Sequence, residues 1–214
     1  MLSRLNALRL SLLSTVPAII RQGQTQTPYN QGVHSMAAHT GPTETATFAS
    51  GCFWGTEHIF LKKFPPSQNS GILRTRVGYT GGREDVTEPT YQQVCSGNTN
   101  HAESVRIEFD PTVLKYGDLV EYFYRTHDPT TLNRQGGDTG TQYRSVIFYH
   151  SPEQKAVAEE VTQVVQNKHF DSRGAKIVTQ IVPAGKWYDA EDYHQEYLFN
   201  NPNGYQCPTH REHW

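Results

Sequence analysis

Gly51-Cys52-Phe53-Trp54-Gly55 separates two stretches of the chain that differ in hydrophobic pattern. Residues 45–49 before it have a strand-like pattern, and the apolar residues that follow from Trp54 recur at helical spacing. The order predicts a strand, a tight turn and a helix that starts at Cys52. A helix N-terminus has free backbone N–H groups and a partial positive charge, and both stabilise a thiolate. Because the thiolate is the reactive form, Cys52 is a candidate nucleophile; the alternative is a buried structural thiol.

Strand and helix patterns are mingled after this point, and no internal repeat is visible. Strands are predicted at residues 74–78, 103–109, 144–149 and 177–182, and helices at residues 89–95, 114–127, 153–170 and 189–199. This mixture indicates an α+β or mixed α/β fold in which helices cover a sheet. The catalytic domain is expected to span residues 44–200, and residues 201–214 are expected to form an irregular, mobile tail.

Composition limits the classes of partner. The 214 residues carry a net charge of −2 without a basic run, so we expect no nucleic acid among the partners. No stretch approaches the roughly 20 apolar residues of a membrane span, so we expect no membrane partner either. The three cysteines and the absence of an Asn-x-Ser/Thr sequon favour a reducing compartment, where cysteines are more often catalytic than structural. We expect a monomer.

The first 43 residues differ from the rest of the chain. They contain no Asp or Glu, and arginines alternate with leucines and serines near the start. This pattern is typical of a mitochondrial presequence, followed by a flexible linker. A secretory signal is the alternative, because residues 10–20 are fairly apolar. Internal initiation at Met36 would give a second, cytoplasmic form.

Glu103 is a candidate general acid. In the predicted strand it shares a face with Val105 and Ile107, so its carboxyl group is expected to lose water on folding. Desolvation raises the pKa of a carboxyl group and keeps its proton on, as a general acid requires. The alternative is a solvent-exposed Glu at the strand end, paired with Arg106.

Residues 134–145 form a polar, glycine-rich segment that enters a strand. It lacks the Gly-Lys-Ser/Thr ending of a phosphate-binding loop. Asp138 and Tyr143 could orient a substrate or a water molecule by hydrogen bonds. The alternatives are a turn role for Asp138 and strand packing for Tyr143.

The other two cysteines differ in context. A mobile thiol in the tail, Cys207, suits the resolution of an oxidised Cys52 by disulfide formation. Cys207, His210 and His213 offer three metal ligands without a fourth, so we expect neither a metal nor another cofactor. Cys95, next to Val94, is expected to be a packed core thiol.

A set of motifs in fixed order resembles peptide methionine sulfoxide reductase, A type. The motifs are Gly-Cys-Phe-Trp-Gly at 51–55, Val-Gly-Tyr-Thr-Gly-Gly at 77–82, Thr-Tyr-x-x-Val-Cys-Ser-Gly at 90–97, His-Ala-Glu at 101–103, His-Asp-Pro-Thr-Thr at 127–131, Arg-Gln-Gly-x-Asp-x-Gly-Thr-Gln-Tyr-Arg-Ser at 134–145 and Glu-x-Tyr-His-Gln-Glu-Tyr-Leu at 191–198. The closing segment at 201–210 is similar to that of eukaryotic members. The resemblance implies a two-layer α/β sandwich with a ferredoxin-like core.

The resemblance also implies the chemistry. Cys52 attacks the sulfur of a methionine S-sulfoxide, either free or in an oxidised protein, and Glu103 protonates the oxygen. Cys52 becomes a sulfenic acid, and Cys207 condenses with it to a disulfide that thioredoxin reduces. The activity would repair oxidised proteins under oxidative stress. A thiol peroxidase and a redox-sensor module are the alternatives.

Further residues receive substrate-binding roles from the resemblance. Tyr91 and Tyr143 hold the sulfoxide oxygen, and Asp138 belongs to the same polar network. Phe53 and Trp54 form an apolar slot for the methyl group. His194 contacts the substrate or braces the pocket. The chain departs from some relatives in having one tail cysteine, which implies direct reduction by thioredoxin, and in residues 83–88, which lie near the expected pocket.

Overall fold

The computed structural model describes residues 39–214, so the presequence-like segment and Met36 lie outside the described residues. The strands are β1 Glu44–Ser50, β2 Ile72–Thr80, β3 Ala102–Phe109, β4 Arg134–Gln135, β5 Asp138–Thr139, β6 Ser145–Tyr149, β7 Gln180–Pro183 and β8 Trp187–Asp189. The α-helices are α1 Phe53–Lys63, α2 Tyr91–Cys95, α3 Tyr116–Arg125, α4 Pro152–Val165 and α5 Tyr197–Asn200. Among residues 39–214, none of the helices combines the length and the apolar character that crossing a membrane requires.

Six strands form one mixed sheet in the order β7-β6-β1-β3-β2-β8. β1 pairs antiparallel with β3 and β6, β2 pairs antiparallel with β3 and β8, and β7 lies parallel to β6. Strands and helices therefore share one unit with a mixed sheet, and the α+β class expected from the sequence is confirmed. β4 and β5 form a separate two-stranded ribbon.

The main core lies between the sheet and the helices. Phe48 of β1 stacks on Phe60 of α1 and on Phe123 of α3, with ring centroids 5.6 and 5.2 Å apart. All three rings are fully buried, and each contributes roughly 1.5–3 kcal/mol to folding. The next residue of β1, Ala49, points to the opposite face and joins a smaller apolar cluster. β1 is thus packed on both faces, and α1 is held against it through Phe60.

The predicted final helix at 189–199 is wrong. Residues 187–189 pair with β2 as a strand, residues 192–194 form a single 3₁₀ turn, and only Tyr197–Asn200 is α-helical. Glu196 has a φ of 49°, which interrupts the helix. The Gln195 amide accepts the Val77 N–H and donates to the Val77 carbonyl, at 2.9 and 3.0 Å. These tertiary hydrogen bonds hold the segment against β2 and override its helical spacing.

Candidate active site

Cys52 is the N-cap residue of α1, directly after β1. The turn between them uses Gly51 with a φ of 95°, a conformation that favours glycine. Burial raises the pKa of the Cys52 thiol well above its usual value, and the nearby Glu103 carboxylate raises it further. The backbone N–H groups of Trp54 and Gly55 lower it, as the helix-start position predicts, but burial outweighs them. The resting Cys52 is therefore a thiol.

Glu103 lies on β3 opposite Tyr79 of β2, and 1% of its surface is exposed. Its Oε2 accepts the backbone N–H of Phe53 at 3.1 Å, which joins it to the first turn of α1. Burial raises the pKa of Glu103 to about 8, against the lowering effect of this hydrogen bond. The carboxyl group is thus largely protonated at neutral pH, as its phase in the strand predicts. Arg106, the alternative partner, instead lies 4.4 Å from the centre of the Trp187 ring.

Two phenol groups lie near Glu103. Tyr91 is the first residue of α2, and its backbone N–H donates to Glu191 Oε1 at 3.0 Å. Tyr143 ends the 3₁₀ turn Thr141–Tyr143. Burial and the negative charge of Glu103 raise the pKa of both hydroxyls, which therefore remain protonated and can donate hydrogen bonds.

Asp138 connects the site to the tail. Its Oδ1 accepts the hydroxyl of Tyr205 at 2.8 Å, and its buried Oδ2 has no hydrogen-bond partner among residues 39–214. Its charge contributes to the raised pKa values of both Cys52 and Glu103. The structure thus brings Cys52, Glu103, Tyr91, Tyr143 and Asp138 into one polar cluster.

An aromatic wall borders this cluster. Trp54 stacks on Tyr197 with ring centroids 3.8 Å apart, and it is partly exposed. Phe53 is almost fully buried, and its ring packs 5.1 Å from that of His194 and 5.9 Å from that of Tyr79. Of the two predicted slot residues, Trp54 therefore offers the more accessible surface, whereas Phe53 backs it from the core.

His194 braces this wall. Its Nδ1 accepts the Trp54 indole N–H at 2.9 Å, which leaves the proton of the neutral ring on Nε2. Nε2 is buried, has no hydrogen-bond partner within the described part of the chain, and lies 3.7 Å from Glu191 Oε2. Burial lowers the pKa of His194, and the Glu191 charge opposes this effect. The neutral ring thus fixes the orientation of the indole.

Comparison with known proteins identifies the family. The family model for peptide methionine sulfoxide reductase matches residues 44–213. The chain belongs to the peptide methionine sulfoxide reductases. It is 53% identical over 171 residues to the "Probable peptide methionine sulfoxide reductase" of Schizosaccharomyces pombe, covering 80% of this chain and 97% of that protein. It is therefore an oxidoreductase of the MsrA type.

Solved structures of the reductase family share the fold. Mxr1 from Saccharomyces cerevisiae in reduced form is 41% identical, with a TM-score of 0.73 over 79% of this chain and 92% of that one. A structure of Mxr1 in complex with Trx2 is 28% identical, with a TM-score of 0.52 over 82% of this chain and 96% of that one. The architecture described above is thus that of this reductase family.

The second thiol of the reductase, Cys207, is packed in the structure. Only 1% of its surface is exposed, and Sγ lies 3.5 Å from the Gln135 carbonyl and 3.2 Å from Thr209 Oγ1. Cys52 and Cys207 are both free thiols. In this arrangement Cys207 contacts the ribbon that carries Asp138, not the thiol of Cys52.

The prediction that Cys95 is a core thiol is wrong. It is the last residue of α2, it is half-buried, and burial raises its pKa against the lowering effect of the nearby Tyr91 hydroxyl. The four-residue spacing on one helix turn brings the two side chains together. Within residues 39–214, no group of three or more His, Cys, Asp or Glu side chains is arranged to hold a metal ion.

Sequence reasoning missed a second buried carboxyl group in the reductase, that of Glu57. It accepts the Thr75 hydroxyl at 2.8 Å and the Glu196 backbone N–H at 2.7 Å, just before Tyr197. Burial raises the pKa of Glu57 to about 7. The sequence did indicate this burial, because Glu57 lies on the same face of α1 as Phe53 and Phe60. Tyr205 and His210 were also missed, and their long-range contacts leave no local sequence signal.

Proposed function

We propose that this reductase converts the S epimer of methionine sulfoxide, free and in oxidised proteins, to methionine with thioredoxin as the reductant. The observation that carries the proposal is the convergence of a thiol and a protonated acid at one helix start. Cys52 caps α1, and the next backbone N–H binds the carboxyl group of Glu103. A nucleophile and a general acid are the two groups that sulfoxide reduction requires.

In the first step, Cys52 Sγ attacks the sulfoxide sulfur while Glu103 donates its proton to the sulfoxide oxygen. Tyr91 and Tyr143 donate hydrogen bonds to that oxygen, and the slot beside Trp54 receives the methyl group. The oxygen passes to Cys52, which becomes a sulfenic acid, and methionine leaves. The substrate sulfur gains the two electrons that the Cys52 sulfur loses, so this step needs no cofactor.

The protonated state of Glu103 also helps to form the thiolate. A carboxylate at this position raises the pKa of Cys52, whereas a neutral carboxyl group has no net charge to repel a thiolate. The N–H groups of Trp54 and Gly55 then stabilise the thiolate. The raised pKa of Glu103 thus has two effects: it removes a charge that would repel the Cys52 thiolate, and it keeps a proton available for the sulfoxide oxygen.

In the second step, Cys207 condenses with the Cys52 sulfenic acid and releases water. The hydrogen bond between Tyr205 and Asp138 supports this role, because it holds the segment before Cys207 against the polar cluster. Thioredoxin then reduces the disulfide. The Mxr1 complex with Trx2 supports thioredoxin as the partner.

The site of action is a separate part of the proposal. The acid-free, arginine-containing segment 1–43 supports import into mitochondria, and initiation at Met36 would leave a cytoplasmic form. A fluorescent protein fused after residue 43 is expected to enter mitochondria, and the same fusion begun at Met36 is expected to stay in the cytosol. Entry of the first fusion into the secretory pathway would contradict this assignment.

The activity is tested with a racemic peptide methionine sulfoxide and thioredoxin. We expect many turnovers that stop when half of the substrate is consumed, because only one epimer fits. A redox sensor would oxidise once without catalytic turnover, and a thiol peroxidase would consume hydrogen peroxide at a comparable rate. Consumption of both epimers would refute the stereochemical assignment.

A further inference from the structure

The tail of the chain fits into a recess beside the catalytic cysteine. The His210 ring is 4% exposed, and its Nε2 donates a hydrogen bond to the Ser50 carbonyl at 2.8 Å. A Cβ atom on Gly55 would overlap His210 Nδ1, so the first turn of α1 leaves space for this ring. The second glycine of the Gly-Cys-Phe-Trp-Gly motif therefore accommodates the tail.

The residues after His210 are held to the helical layer. The His213 backbone N–H donates to the Arg125 carbonyl at 2.9 Å. The Trp214 indole N–H donates to Glu121 at 3.0 Å, and the ring stacks on His169 with centroids 4.0 Å apart. We call residues 210–214 the C-terminal anchor. Segment 201–209 is therefore held at both ends, because α5 precedes it and the anchor follows it.

The anchor limits how far Cys207 can move. The His210 N–H donates to the Cys207 carbonyl at 3.0 Å, and three residues span at most about 10 Å when extended. Ser50, to which His210 is bound, precedes Cys52 by two residues. The thiol is thus tethered next to its target, and a short tether gives a high effective concentration.

We propose that His210 is a positioning residue that keeps Cys207 within reach of the Cys52 sulfenic acid, an inference that rests on the proposed resolving role of Cys207. In the step that it serves, the Cys207 sulfur attacks the Cys52 sulfur. The S–S bond forms, the S–O bond breaks, and the oxygen leaves as water with the proton of the Cys207 thiol. The sulfoxide has already supplied the oxidising equivalent.

The test separates the two steps in single-turnover experiments on the full chain. One rapid-quench series measures methionine release, and a second measures formation of the Cys52–Cys207 disulfide by mass spectrometry.

In His210→Ala we expect methionine release within twofold of the unchanged protein. Disulfide formation should be slowed about tenfold or more, because the effective concentration of Cys207 near Cys52 falls. His210→Gln, whose amide can still donate to Ser50, is expected to restore most of the disulfide rate. Arg211→Ala is the matched control, because its exposed side chain makes no hydrogen bond within residues 39–214.

Several outcomes would overturn the inference. A normal disulfide rate in His210→Ala, or an equal loss of both steps, would exclude a specific positioning role. If His210→Ala does not fold, Trp214→Ala tests the anchor from its other end, where the side chain contacts Glu121 and His169. An unchanged disulfide rate in that variant counts against the inference. Cys207→Ser distinguishes a failure of the positioning role of His210 from a failure of the proposed function. Sustained thioredoxin-driven cycling in that variant would refute the resolving role of Cys207 itself.

Discussion

Cys52 and Cys207 are both buried, but by different kinds of structure. Cys52 lies between a central strand and a helix, and two carboxyl groups, those of Glu103 and Asp138, influence its pKa. Cys207 lies in an irregular segment, and the hydrogen-bond partners of its thiol within residues 39–214 are a carbonyl and a hydroxyl group. The first site is suited to the control of protons around a fixed sulfur. In the proposed mechanism the second site holds a sulfur that must later move, so the two proposed steps depend on two different regions.

The largest effect is expected from Cys52→Ser, which removes the proposed nucleophile. Neither steady turnover nor a first equivalent of methionine should form, because a serine hydroxyl cannot be oxidised by the sulfoxide. The measurement is methionine release by enzyme in excess over substrate. Any stoichiometric release would show that another thiol starts the reaction.

Cys207→Ser is expected to stop the cycle only after one turnover. The Cys52 region is intact in this variant, so one equivalent of methionine should appear at the normal rate. Thioredoxin-driven cycling should then stall at the sulfenic acid. The check is the burst amplitude together with the steady rate, and Arg211→Ala, an exposed position in the same tail, serves as the matched control that should keep both.

Glu103→Gln is expected to slow methionine release by roughly 10²–10⁴-fold, the contribution of a general acid. The amide can still accept the Phe53 N–H, so the turn should keep its geometry. Disulfide formation belongs to the other region and should change much less. A release rate near normal would remove Glu103 from the chemistry.

The pH dependence sharpens the same comparison. Burial raises the pKa of Glu103 to about 8, so the acid form that the first step needs is lost as pH rises through that value. The Cys52 thiolate meanwhile increases with pH, because burial raises the pKa of the thiol well above its usual value. Methionine release in single turnovers should therefore rise up to about pH 8 and level off above it. Glu103→Gln should lack this levelling and should keep rising above pH 8. A continued rise above pH 8 in the unchanged protein would contradict the role of the acid.

The smallest effect concerns stability and Glu57. Its pKa is raised to about 7 from an ordinary 4.5, so folding favours the protonated form. The associated stability is present below about pH 4.5 and is lost as pH rises through 7, by up to about 3 kcal/mol. Urea unfolding at pH 5 and pH 8 should show a smaller pH difference in Glu57→Gln. An identical difference would show that Glu57 does not titrate as its burial implies.

The sequence predicted the Cys52 region better than the tail. The helix start at Cys52 and the burial of Glu103 follow from periodicities of adjacent residues, which local physics controls. The hydrogen bond between Tyr205 and Asp138 joins residues 67 positions apart, and no local pattern indicates it. The structure of residues 189–199 was mispredicted for the same reason, because hydrogen bonds from Gln195 to β2 decide it. Secondary-structure periodicity thus locates the proposed nucleophile and acid, whereas tertiary packing defines the aromatic wall and the tail.

The hydrogen bonds of Gln195 have a further consequence for the part of β2 that β8 does not cover. β8 covers β2 only along residues 78–80, and an uncovered strand invites pairing with another molecule. Beyond that point the Gln195 amide occupies both the N–H and the carbonyl of Val77, and the Ala190 N–H shares that carbonyl at 3.0 Å. One side chain thus imitates the backbone of a neighbouring strand. It closes this backbone position to intermolecular β-pairing, the edge-to-edge contact by which uncovered strands aggregate.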